Sequence, residues 1–211
     1  PPMPLDRIVT AAMAIVDEQG ADALSLRAVA TRLGSSTATL YRHLRGRTEL
    51  VGLVLDRTIG EIELDEDTLL AADWQEACRH LTTALFEALA RHQHIALLLT
   101  EQIPAGPNSL AYRERAVTVL LAGGFKPEIA AHAAVSLARY ALGFAMQVRG
   151  EDRGTLSADS TSRPKPDPEA YPGIAAIAEF LPTQLHEEFR FGLDLMLAGL
   201  SGPTSDSTGD R

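Results

Sequence analysis

Residues 25–47 read S-L-R-A-V-A-T-R-L-G-S-S-T-A-T-L-Y-R-H-L-R-G-R, and this stretch decides how the rest of the chain is understood. Ser25 is a good N-cap; Leu26, Val29, Ala30 and Leu33 follow at helical spacing, and Gly34 supplies a stop. Ser35, Ser36 and Thr37 make a polar turn, and any one of them can cap the next helix. That helix is predicted over 37–44, with Leu40 and Leu44 on one face and Thr37, Thr39, Tyr41, Arg42 and His43 on the other. Two short helices in this relation, the second bearing small, hydroxylated and basic side chains, suit the major groove of DNA. Ala38 lets the backbone come close. Arg42 can fork onto a guanine edge, Thr39 can reach a base or a thymine methyl, and Tyr41 and His43 can hydrogen-bond phosphates.

On the N-terminal side, 5–19 places Ile8, Val9, Ala12, Ile15 and Val16 on one helical face, with Asp6 near its start and Gly20 at its end. Arg27 falls in the first turn of the second helix, where it either meets DNA or lies in solvent. On the C-terminal side, Thr48, Glu49 and Leu50 read as the start of a long fourth helix to about residue 64, with Arg47 and the Gly46 amide placed for phosphate contact.

The pattern filled by Leu26, Ala30, Leu33, Gly34, Ser36, Leu40, Tyr41, His43, Leu44, Arg47 and Leu50 is similar to the DNA-binding domain of the TetR family of bacterial repressors. Further on, Asp73-Trp74, Glu76, Arg79, Arg91-His92, G-P-N-S-L at 106–110, G-G-F-K-P at 123–127 and the run 137–144 resemble the subgroup that includes the tetracycline repressor. The resemblance covers nearly the whole chain. It implies an all-α homodimer: a three-helix helix-turn-helix domain over 1–48, a connecting helix over 49–64, a larger ligand-binding and dimerisation domain over 65–200, and a flexible tail over 201–211. It also implies that Arg27 and Ser36 join the DNA-binding residues, and that the fourth helix converts ligand binding into movement of the head.

Composition agrees. Hydrophobic residues make up 45% of the 211 but aromatic ones only 5%, so the core is built mainly from Leu and Ala, which favour helix. No run of about 18 apolar residues and no signal peptide is visible, so a cytoplasmic protein without a membrane partner is expected. The net charge of −9 argues at first against a nucleic-acid partner. Residues 1–48, however, carry a balance of +2 and the remainder −11, a mildly basic head on an acidic body.

Beyond the head, Asp65-Glu66-Asp67 reads as an acidic, solvated turn. A helix over about 74–94, a short sixth, a seventh over 109–122 and an eighth to about 148 follow, punctuated by Pro104, Pro107 and Gly123-Gly124. The small residues Ala130, Ala131, Ala134, Ala138, Ala141 and Gly143 permit close helix approach and suit a dimer seam. A polar, proline-bearing stretch over 150–173 is expected to be a loop, and 184–200 a last helix striped by Leu185, Phe189, Leu193, Met196, Leu197 and Leu200. By resemblance, the helices near 128–148 and 184–200 of two subunits form a four-helix interface.

Aligned on Trp74 and Pro104, the tetracycline repressor's magnesium-binding histidine falls on Leu99. Its other drug contacts fall on Glu63, Leu81, Leu85 and Ala116, and the partner subunit's acid on Gln147. With leucine in place of that histidine and glutamine in place of the partner's acid, the site has lost its hard-metal chemistry, so neither metal nor cofactor is expected, nor is magnesium-tetracycline. The expected lining is Leu81, Leu85, Leu98, Leu99, Ile103, Val117, Leu120, Phe144 and Gln147, each a residue type that serves a helical core as readily as a ligand. It fits a small apolar or aromatic effector. His80, His92 and His94 do not form a metal set by spacing, and Cys78 with His80 is no nucleophile pair. The reading is therefore a ligand-responsive repressor on a palindromic DNA operator and not an enzyme. The alternative is a helical ligand-binding dimer that has ceased to read DNA.

Overall fold

The computed structural model describes residues 3–148, 167–181 and 183–201. Local chemistry accounts for most helix boundaries. Helix α1, Leu5–Gln19, carries Asp6 in its first turn and ends at Gly20. Helix α2, Leu26–Arg32, is capped by Ser25, whose Oγ accepts the Ala28 amide at 3.1 Å. Gly34, at φ +61°, then turns the chain so that the Ser35 amide reaches the Ala30 carbonyl at 2.9 Å. Helix α3, Thr37–Leu40, is shorter than the expected 37–44. After Leu40 the chain tightens to three-residue bonds, His43 amide to Leu40 carbonyl at 2.9 Å among them. Thr37 and Thr39 are β-branched and hydroxylated, and such residues favour caps and turns over helix interiors.

Helix α4, Arg47–Gly60, stops short of residue 64 at a glycine. The acidic run is not the turn it resembles: helix α5, Glu66–Ala71, begins there, with the Asp65 carboxylate accepting the Asp67 amide at 3.1 Å. Helix α6, Trp74–Arg91, is capped by Asp73 and breaks at His92, two residues before the expected end. Helix α7, Gln93–Ala96, leads into a 3₁₀ turn over Leu97–Thr100. Helix α8, Pro107–Ala122, starts two residues early because proline fits the first helical position. Helices α9, Pro127–Ala145, α10, Pro172–Ile177, and α11, Leu185–Leu200, complete the described α-helices, with further 3₁₀ turns at Ala21–Ala23 and Ala178–Phe180. Of the expected loop, 150–166 lies outside the described residues, while α10 opens within its last two. The tail beyond Ser201 lies outside them too.

Two cores result. The first joins α1 to α4 through Ile8, Ile15, Leu24, Leu40, Leu50 and Val54, and it also takes Ile95 and Leu98 from the α7 region. The head is thus closed from below by a segment of the larger domain. The second packs α6, α8, α9 and α11 around Phe86, Phe189 and Leu193, with the Phe86 and Phe189 rings stacked at 4.3 Å. The small-residue stripe of α9 is divided. Ala130 and Ala141 are buried inside the chain's own core, Ala134 and Ala138 are half-buried, and only Ala131 and Gly143 face outward. Close approach is used first within the subunit, against α6 and α8.

Candidate DNA-reading surface and ligand cleft

Burial of Leu40 and Leu44, 0% and 2% exposed, fixes the rotation of the α3 region and so decides what it presents. Thr37, Tyr41 and Arg42 are exposed, and Thr39 and His43 are half-buried. Ser36 caps α3, its Oγ accepting the Thr39 amide at 3.2 Å, and lies 3.1 Å from the Thr39 hydroxyl. Arg42 reaches back to that hydroxyl at 3.5 Å. Ser36, Thr39 and Arg42 therefore form one connected polar row at three-residue spacing. Arg27 is exposed on α2.

Arg47 is placed differently from the expectation. Its Nε donates to the Leu24 carbonyl at 3.0 Å and its outer nitrogens to Glu101, at 2.5 and 3.1 Å. The pair holds the Glu101 carboxyl below the usual carboxylate range. A phosphate oxygen would have to compete with that carboxylate. Three further contacts build the joint between head and body. Asp56, only 6% exposed, accepts the Ser109 amide and hydroxyl, both at 2.8 Å, and the Asn108 side-chain amide at 3.2 Å. It thereby caps α8, whose own N-cap, Gly106, has no side chain; a Cβ there would lie 2.2 Å from the Asp56 carboxylate. His92 sets its ring between Asp17 of α1, at 2.9 Å, and Glu61 after α4, at 2.8 Å. His94 Nδ1 lies 2.9 Å from the Asp17 carbonyl. These carboxylates come from distant segments, which is why spacing along the chain did not reveal them. Among the described residues no group of three side chains is arranged to hold a metal ion.

Between α6, α8 and α9 the body leaves a small cleft, partly open to solvent, with room for about one water molecule. It is lined by Cys78, Leu81, Thr82, Tyr112, Ala116, Leu120, Ala134, Leu137 and Ala138. From the expected lining it takes Leu81 and Leu120 alone. Leu85 packs in the second core, Leu98 is buried in the head core, and Leu99 lies between the two. Ile103 is 76% exposed, and the side chain of Gln147 is exposed and bonds the Gly143 carbonyl at 3.2 Å. Val117 and Phe144 are half-buried outside the cleft. Tyr112 and Thr82 were missed, although Tyr112, Ala116 and Leu120 stand at four-residue steps on α8, and Cys78, Leu81 and Thr82 at three and four on α6. Tyr112 donates its hydroxyl to the Leu81 carbonyl at 3.1 Å, and Thr82 to the Cys78 carbonyl at 2.7 Å. Burial pushes the Cys78 thiol up to about 11 and raises the Tyr112 phenol well above its ordinary range. Neither is charged at neutral pH, so Cys78 is a core thiol and not a reactive thiolate.

A polar, arginine-bearing helix pair mounted on a second helical body with an internal cleft defines a DNA-binding regulator of the helix-turn-helix class. Residues 8–54 match the family model described as bacterial regulatory proteins, tetR family, and residues 69–202 match tetracyclin repressor-like, C-terminal domain. The chain belongs to the TetR family. The HTH-type transcriptional repressor DrrR1 of Streptomyces coeruleorubidus is 29% identical, over 95% of this chain and 78% of its own. The crystal structure of apo ActR from Streptomyces coelicolor superposes with a TM-score of 0.82 at 29% identity, covering 99% of both chains. That of ActR in complex with actinorhodin gives 0.80 at 28% identity, covering 98% of this chain and 99% of the other. Family members are non-enzymatic DNA-binding regulators that act as dimers and bind small molecules. Among the described residues no helix is long and apolar enough to cross a membrane.

Proposed function

We propose that this chain is a ligand-responsive repressor, released from a palindromic operator by a small, largely apolar or aromatic molecule bound between α6, α8 and α9. The observation that carries the reading is the joint. Asp56 bonds α4, which bears the head, directly to the first turn of α8, which lines the cleft. A ligand that parts α8 from α6 therefore pulls on α4 and changes the separation of two recognition helices, roughly 34–36 Å for successive major grooves. The cleft has room for about one water molecule where usual ligand sites offer roughly 300–1,000 Å³, so binding requires those helices to part. ActR, which resembles this chain over its length, has been crystallised with actinorhodin, which supports an effector of that kind.

In this reading residues 1–48 form the reading domain, 49–64 the connecting helix and 65–200 the ligand-binding and dimerisation domain. Arg27, Ser36, Thr37, Thr39, Tyr41, Arg42 and His43 face DNA, and Arg47 sets the head on its base. Dimerisation uses α9 and α11, whose outward Val135, Phe191 and Leu195 are 48%, 68% and 59% exposed. The test is binding of the purified protein to duplex DNA from upstream of its own gene across a salt series, with unlabelled competitor. Saturable, competitor-resistant binding that an apolar aromatic molecule reverses is expected; binding abolished by competitor at every salt would overturn the reading.

A further inference from the structure

We propose that Glu101 is a competitor for DNA built into the chain: its carboxylate holds the place on Arg47 that a DNA backbone phosphate takes, and so the body restrains the affinity of the head. Only DNA binding is presupposed; neither the operator nor the effector enters.

Arg47 is the first residue of α4, and Gly46 before it puts no side chain over the amides of that helix's first turn. A guanidinium beside open helix amides is an arrangement that binds phosphate. The Arg47 fork is filled, however, by an anion of matching shape. The Glu101 oxygens accept from its two outer nitrogens at 2.5 and 3.1 Å, while Nε is fixed on the Leu24 carbonyl at 3.0 Å. Carboxylate and phosphate present the same pair of acceptors to that fork. A phosphate brought alongside would meet the Glu101 charge, so the two anions exclude each other. The side chains of Arg47 and Glu101 are 40% and 41% exposed, and an ion pair so open to water breaks at little cost.

Glu101 is held in position by the body. Its amide donates to the Leu98 carbonyl at 3.0 Å, and Leu98 is buried in the head core. Three residues on, the Pro104 carbonyl accepts from Arg113 of α8. Of the six arginines in 1–48, Arg32 pairs with Glu18 inside the head, whereas Arg47 pairs with a carboxylate of the body. The body thereby takes one cation from what the head presents to DNA.

Fluorescence anisotropy of a mixed-sequence duplex titrated with the full chain tests the exchange, since a phosphate contact needs no operator. Glu101→Gln is expected to tighten binding about two- to fivefold at low salt, the strength of an exposed ion pair. Arg47→Ala should abolish that gain and lower the salt slope by about one. A gain that persists without Arg47 is general charge removal and overturns the proposal, as does Glu101→Gln binding no tighter than wild type. Absence of DNA binding by both wild type and Glu101→Gln at low salt overturns it too. Should Arg47→Ala fail to fold, NMR titration of the Glu101 carboxyl in the wild-type chain decides. The hydrogen bond from Arg47 holds that carboxyl below its ordinary value. Bound DNA should release it upward, and a value unmoved by DNA overturns the exchange.

Discussion

At Arg47 a residue placed for phosphate by its position at a helix start is taken instead by a carboxylate from another part of the chain. The two-pronged geometry to Glu101 and the Nε bond to Leu24 use the guanidinium fully along its edges. Because folding lowers the Glu101 pKa from its ordinary 4.5, the pair stabilises the fold above that value and loses its contribution as the pH falls through the folded value. The stability difference between wild type and Glu101→Gln, read from urea unfolding, should therefore be largest at neutral pH and shrink in acid below about 4.5. A difference that stays constant from neutral pH to pH 3 would deny the pair any such role. Among the described residues Arg42 has no comparable partner, only the Thr39 hydroxyl at 3.5 Å. Arg42→Ala should weaken specific operator binding by about 1–3 kcal/mol and non-specific binding by much less, measured by competition at fixed salt. Equal loss on both DNAs would mean a phosphate contact and no base reading.

At the scale of elements, the connection between α4 and α8 outweighs the surface ion pairs. Arg32 with Glu18 and Arg57 with Asp6 tie α1 to its neighbours, but both lie in solvent, where such pairs contribute little. Asp56 is a buried carboxylate whose partners are the α8 N-terminal amides and the Ser109 hydroxyl, and removing it strands them. Asp56→Ala is expected to cost about 2–3 kcal/mol in urea unfolding and to weaken the effect of ligand on DNA affinity. Stability within about 0.5 kcal/mol of wild type would show that water replaces the carboxylate without loss.

At the scale of the whole molecule, the apolar surface left on one chain indicates what covers it. Helix α11 buries Leu185, Phe189, Leu193 and Leu197 in its own core and leaves Phe191 and Leu195, four residues apart, on a second face. Phe191→Asp should convert the dimer to a 22.7 kDa monomer in light scattering and reduce operator affinity sharply, because the two half-sites are no longer held together. An unchanged mass would move the interface elsewhere. The charge division acts on the same scale: a head of +2 on a body of −11 orients approach to DNA and keeps the body off it.

Helices, caps and the reading head were legible in the chain because their causes lie within four or five residues of one another. Ser25 and Ala28, Ser36 and Thr39, and the rows buried by α1 and α11 are of this kind. The family was legible for the same reason, since its motifs are local runs. The cleft, the capping of α8 and the fate of Arg47 were not. Asp56 meets Ser109 across 53 residues, Arg47 meets Glu101 across 54 and His92 meets Asp17 across 75. Which leucine lines a cavity and which fills a core depends on the rotation of each helix against its neighbours. Periodicity determines only that an apolar face exists; tertiary packing decides what it faces.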